Sequence, residues 1–118
     1  MKYEKVALDQ YGLKIIDVVV GDAQESLTLR LEDGNKILFW HYQDCCEEVY
    51  IEDIDIDITD LIGTTLVSIE VASNESCENH GHQTWTFYKI QTDKTCATVR
   101  WFGESNGYYS ESVDIDVI

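Results

Sequence analysis

The chain has 118 residues and 13.6 kDa, 44% of them hydrophobic and 11% aromatic, which is enough apolar material for one domain with its own core and too much for a disordered chain. Against 23 Asp and Glu stand 8 Lys and Arg, a formal charge of −15. That balance argues against direct nucleic-acid binding, whose affinity comes from cations displacing counterions, and against anionic membrane surfaces.

The opening Met1-Lys2-Tyr3-Glu4-Lys5 leads into mixed polar sequence, and no stretch approaches the roughly 18 apolar residues of a membrane span, so the expected location is the cytoplasm. Alternation of apolar and polar residues then recurs along the chain, with hardly any helical periodicity. Strands are expected at about 14–20, 26–32, 36–42 and 48–56, and again at 65–72, 84–91, 96–102 and 108–116. Asp33-Gly34 and Asp93-Lys94 mark hairpins, and the glycines of Gly103-Glu-Ser-Asn-Gly107 mark a turn able to take positive φ. One helical turn fits near 59–62, capped by Asp57 or Thr59 and stopped by Gly63. The segment 73–83 is polar and is expected to be a mobile connection or lid.

Residues 12–56 and 63–117 resemble each other at an offset of about 51 residues. Gly12-Leu-Lys-Ile15-Ile-Asp-Val18 lies against Gly63-Thr-Thr-Leu66-Val-Ser-Ile69, Leu27-Thr28-Leu29 against Trp85-Thr86-Phe87, and Leu38-Phe39-Trp40 against Val99-Arg100-Trp101. Each half closes on an acidic alternating strand. Either the halves are copies of one unit, or two alternating β segments align this well through composition alone. The fold expected is all-β, a single domain over 1–118, with two antiparallel meander halves packed as a sandwich or a partly closed barrel.

Cys45, Cys46, Cys77 and Cys96 are expected to be free thiols, since adjacent Cys45 and Cys46 would make only a strained bridge. Together with His80 and His82 they supply zinc-type ligands, but no paired C-x-x-C spacing is present and no metal or cofactor is expected. Asp53-Ile-Asp55-Ile-Asp57 opens like a calcium loop, yet Ile58 stands where the glycine and Thr64 where the bidentate glutamate should be. An amphipathic strand with outward aspartates explains it. There is no nucleophile elbow, phosphate-cradling glycine loop or H-E-x-x-H, so a non-enzymatic protein is expected.

The aromatic residues of the second half carry more information. Trp85, Phe87 and Lys89 fall on one face of their strand, with Thr86, Tyr88 and Ile90 on the other; Arg100 and Phe102 likewise oppose Val99 and Trp101. One set faces the core. The other exposes rings beside a cation, a composition suited to stacking a planar ligand.

Gln43-Asp-Cys-Cys-Glu-Glu-Val-Tyr-Ile-Glu-Asp-Ile54 and Arg100-Trp-Phe-Gly-Glu-Ser-Asn-Gly-Tyr-Tyr-Ser-Glu-Ser-Val113, with Asp60-Leu-Ile-Gly63 and Trp85-Thr-Phe-Tyr88, resemble a family of small bacteriophage and prophage proteins catalogued as a domain of unknown function. The resemblance implies a bacterial host cytoplasm and, by analogy with other phage accessory proteins of this size, a counter-defence role. The expected protein is an oligomeric binding module that sequesters a host small molecule such as a nucleotide immune signal. Its ligand residues would be Tyr50, Tyr88, Lys89, Arg100, Trp101, Glu104, Ser105, Asn106, Tyr108 and Tyr109. Two alternatives stand beside it: an acidic decoy that imitates DNA phosphates and occupies a host defence nuclease or restriction protein, and a metal-dependent enzyme.

Overall fold

In a computed structural model, which describes residues 2–78, 81–107 and 109–118, nine strands form two antiparallel sheets packed face to face, with no closed barrel among the described residues. β1 (Glu4–Lys5), β6 (Leu66–Glu78), β7 (Gly81–Thr92), β8 (Cys96–Ser105) and β5 (Glu48–Ile54) make the larger sheet, in the order β1-β6-β7-β8-β5. β2 (Ile15–Val20), β3 (Ser26–Leu31), β4 (Lys36–Trp40) and β9 (Asp114–Val117) make the smaller one. The expected 3-10 turn is present at Ile58–Leu61, with the Asp57 carboxylate accepting from Thr59 N and Gly63 at φ +86° beyond it; a second lies at Asp22–Gln24.

The sheets are less sequential than the alternation predicts. Each half gives its last strand away: β5 leaves β4 and pairs with β8, while β9 leaves β8 and pairs with β4. Both travelling strands are edges, where their outward aspartates and glutamates meet water and discourage further pairing. The exchange knots the halves together, because neither three-stranded meander completes its sheet alone.

A second tie runs between β2 and β6. Gly12 N donates to Leu66 O and Gly63 N to Ile15 O, each at 2.7 Å, while Leu66 N donates to Leu13 O at 2.9 Å and Ile15 N to Thr64 O at 2.8 Å. These pairs interchange at the same offset of about 51 residues, and the Lys14–Thr65 bridge falls at their centre. The connecting strands therefore meet in a reciprocal, locally two-fold manner.

Between the sheets, Ile15, Leu27, Leu29, Leu31, Ile37 and Phe39 pack on Ile51, Ile69, Tyr88, Ile90, Val99 and Trp101. The Phe39 and Tyr88 rings meet edge to face at 4.9 Å. Phe39 occupies the place of Val99 rather than Arg100 in the halves' correspondence. The mismatch begins before the turn: Leu27 and Leu29 are buried where Trp85 and Phe87 face outward, so the faces correspond only when the Leu27–Phe39 pair is set against Tyr88–Val99; the turns differ as well, three residues between Leu31 and Asn35 against two between Thr92 and Thr95.

Segment 73–83 is not a free loop. Its residues through Glu78, and again from Gly81, belong to β6 and β7, paired from Leu66–Thr92 down to Glu78–Gly81. Polar residues persist in a strand here because the ladder satisfies the backbone and neither side-chain face lies against the smaller sheet. At about 3.3 Å per residue the 12-residue β7 spans about 40 Å, close to the molecule's 44 Å length, whereas β4 and β9 have five and four residues. The larger sheet overhangs the smaller one, and the overhang carries the candidate site.

Candidate functional site

Along the inner face of β7 the side chains run Ile90, Tyr88, Thr86, Thr84, His82. Up to Tyr88 they are core. The Tyr88 hydroxyl donates to Val113 O at 2.7 Å, and burial first, with the Asp114 charge second, pushes its pKa up to about 12. Beyond it the face turns to hydroxyls, and on the neighbouring β6 the sequence Val71, Ser73, Glu75 makes the same change. No sheet covers this end. Gly107 and residues 109–113, in the link from β8 to β9, lie over it and line a partly open cavity of about 390 Å³.

Glu111 is the centre of this cavity's wall, with 5% of its surface exposed. Its carboxylate accepts from His82 Nδ1 and Thr84 Oγ1, each at 2.8 Å, and from Ser105 Oγ. Because the carboxylate engages Nδ1, His82 turns Nε2 away from it, 3.7 Å from Glu75 Oε2. Gly103 makes the approach possible: a Cβ there would stand 2.9 Å from Glu111 Cβ and 3.1 Å from Val49 Cγ2. Gly103 therefore serves close approach within β8, and it is Gly107 that takes the positive φ, at +95°.

A second buried carboxylate lies on the other side of segment 110–112. Glu47, 4% exposed, accepts from Asp44 N and Cys45 N, each at 2.9 Å, and its Oε2 meets His41 Nε2 at 2.9 Å. Gln43 Nε2 donates to Glu47 O at 2.6 Å. Burial would raise this carboxyl, but the Cys45, Asp44 and Glu47 backbone N–H groups and the His41 ring outweigh it and hold its pKa down at about 2. The other ring nitrogen, His41 Nδ1, lies 2.7 Å from Ser112 O. In this bend the adjacent Cys45 and Cys46 are joined as a disulfide, where free thiols were expected; Cys77 and Cys96 are free.

The strand exchange brings the two polar motifs together. Glu48 pairs with Glu104 across β5 and β8, and a groove of about 260 Å³ runs between Cys46, Glu48, Glu104, Ser105 and the start of β7. Ser105 holds Glu111, and Tyr109 lines the main cavity. Asn106 sits in the same link, and Tyr108 lies outside the described residues, as does His80.

The other expected ligand residues go elsewhere. Trp101 is fully buried and Tyr88 is 3% exposed, so both are core residues rather than ligand contacts; period-2 alternation assigns them to the face opposite Arg100 and Lys89. Tyr50, Lys89 and Arg100 lie on the outer face of the large sheet with Trp85, Phe87 and Phe102. Their cations are already engaged: Arg100 Nε stands 2.9 Å from Glu52 Oε1, with its N–H off that line, and Lys89 Nζ lies 4.1 Å from the Tyr3 ring centre. Thus the nine described residues of that set are not gathered in one pocket. The hydroxyls Thr84 and Thr86, with Ser73, His82 and Glu75, were the missing part of the site. Their signal is a stripe that is apolar at Ile90 and Tyr88 and then continues, in the same phase, as buried threonines and a histidine.

The family model described as Domain of unknown function (DUF7448) matches residues 5–115. The chain belongs to this family. No curated protein and no solved structure matches it. The match spans both motifs and the cavity's wall. No group of three or more His, Cys, Asp and Glu placed to hold a metal ion occurs among the described residues, and no helix there is long and apolar enough to cross a membrane.

Proposed function

We propose that this chain is a non-enzymatic binding module whose cavity beneath residues 109–113 holds a small, hydroxyl-rich molecule bearing an amine. The observation that carries this reading is the wall itself. Glu111, Thr84 and Thr86 are buried polar residues where an apolar core would be cheaper, and such departures from burial rules concentrate at functional sites. Its volume falls within the usual range for small-ligand pockets. Among the described residues, two carboxylates, Glu75 and Glu111, face the cavity with His82, five Ser or Thr hydroxyls and Tyr109, and no Lys or Arg lines it. A ligand amine gains a charge-assisted bond there, whereas a phosphate meets like charge with no compensating cation. The nucleotide signal expected from sequence is therefore replaced by a cationic polyol such as an amino sugar. The counter-defence setting rests on the resemblance to phage proteins, not on any feature of the wall.

Thermal unfolding with millimolar D-glucosamine, spermidine and cyclic di-AMP as probes tests this reading. The expected result is a rise in Tm with glucosamine, a smaller rise with spermidine, and none with cyclic di-AMP. A rise with cyclic di-AMP alone would overturn it.

A further inference from the structure

The cavity's cover is held from outside by His41. The ring is 4% exposed and lies between two groups from different elements: Glu47 Oε2 at 2.9 Å from Nε2, on the loop entering β5, and Ser112 O at 2.7 Å from Nδ1, on the cover. A carbonyl oxygen accepts and never donates. An ionised carboxylate does the same, and the backbone donors at Glu47 keep it ionised. Both bonds exist at once only when both ring nitrogens carry protons. Every charge that faces the surrounding 180 Å³ hollow has the sign that favours this: Asp44 and Glu47 from the β4–β5 loop and Asp114 from β9, with neutral Tyr42, Ser110 and Ser112 completing the wall.

We infer that His41 is the positioning residue of the cavity's cover, and that it holds Ser110, Glu111 and Ser112 in place only while doubly protonated. A neutral imidazole turns a lone pair toward either Ser112 O or Glu47, so one of the two bonds is lost and the link between loops is cut. The Tyr88–Val113 bond still pins the far end of the cover, so the loss is local to 110–112. The inference concerns regulation of the proposed site, but the latch stands whether or not that site's ligand is correctly named.

The test needs no ligand. Amide hydrogen exchange of residues 109–113 is followed from about pH 5.5 to about pH 9, corrected for intrinsic exchange, in wild type, His41→Gln and Tyr88→Phe. In wild type, protection of 109–112 should fall about tenfold or more across that interval as the pH rises. His41→Gln should show the low value at every pH, with no slope. Tyr88→Phe should lower protection while keeping the slope. Nitrogen-15 spectra of the wild-type imidazoles add a readout that packing alone does not move, since His41 at low pH should show two protonated nitrogens. A flat wild-type profile, a slope retained in His41→Gln, or a single-tautomer neutral His41 in acid would overturn the latch. If the slope is present and glucosamine fails to bind, the latch survives and the ligand reading does not.

Discussion

Glu47 and Glu111 hold matching places in the two halves. Each is buried, each lies two residues before a buried valine, Val49 or Val113, and each stands at the entrance to the strand that its half gives away. Their partners differ. Backbone N–H groups, fixed by the bend at 44–46, converge on Glu47, and the hollow beside it is about 180 Å³. Three side chains from two strands, His82 and Thr84 of β7 and Ser105 of β8, converge on Glu111, whose cavity is about twice that size. A carboxylate held by its own loop's backbone is an anchor. One held by side chains on a wall that opens to a cavity can exchange those bonds for a ligand's.

Several substitutions separate the two roles. The largest expected effect is that of Glu47→Ala, which leaves the His41 ring without its counter-charge and frees the 43–46 loop; its fall in Tm should exceed that of any change at Glu111. The pH dependence carries the same sign. Glu47 has a folded pKa lowered from 4.5 to about 2, so its contribution is complete above about pH 4.5 and is lost as the pH falls toward 2. Urea unfolding in that window should show this loss in wild type and a flatter profile in Glu47→Gln. Next comes Gly103→Ala, whose Cβ forces Glu111 and Val49 apart; about 1–3 kcal/mol of destabilisation by urea unfolding is expected, together with lost glucosamine binding. Glu111→Gln should cost less stability than Gly103→Ala but weaken glucosamine about tenfold or more, read by calorimetry. Smallest is Tyr109→Ala, which should leave the midpoint within about 0.5 kcal/mol while weakening the probe.

Much of the fold was legible because alternation is a local signal. Leu27, Leu29 and Leu31, or Tyr88 and Ile90, declare their face regardless of what pairs with them. What alternation does not encode is the partner of a strand. Val49 and Ile51 look the same whether β5 lies beside β4 or β8, and only the packed structure decides. The site was legible in part for the same reason. Of the motif singled out from sequence, Tyr109 lines the cavity, Ser105 bonds Glu111 and Glu104 lines the neighbouring groove, while Thr84 and Thr86 look like ordinary strand residues until the smaller sheet ends beneath them. Alternation divided Trp85 and Phe87 from Thr86 and Tyr88 without saying which set is exposed; the structure turns Tyr50, Phe102 and Trp85 outward, and charge pairing of Arg100 with Glu52 occupies the cation that a phosphate would need.

The contrast between the two glutamates reduces to one measurement: calorimetric titration of D-glucosamine into the wild-type protein and into Glu111→Gln. A saturable heat in wild type that is lost in the variant is the predicted result. No saturable heat in wild type, or the same isotherm in both proteins, would contradict the account.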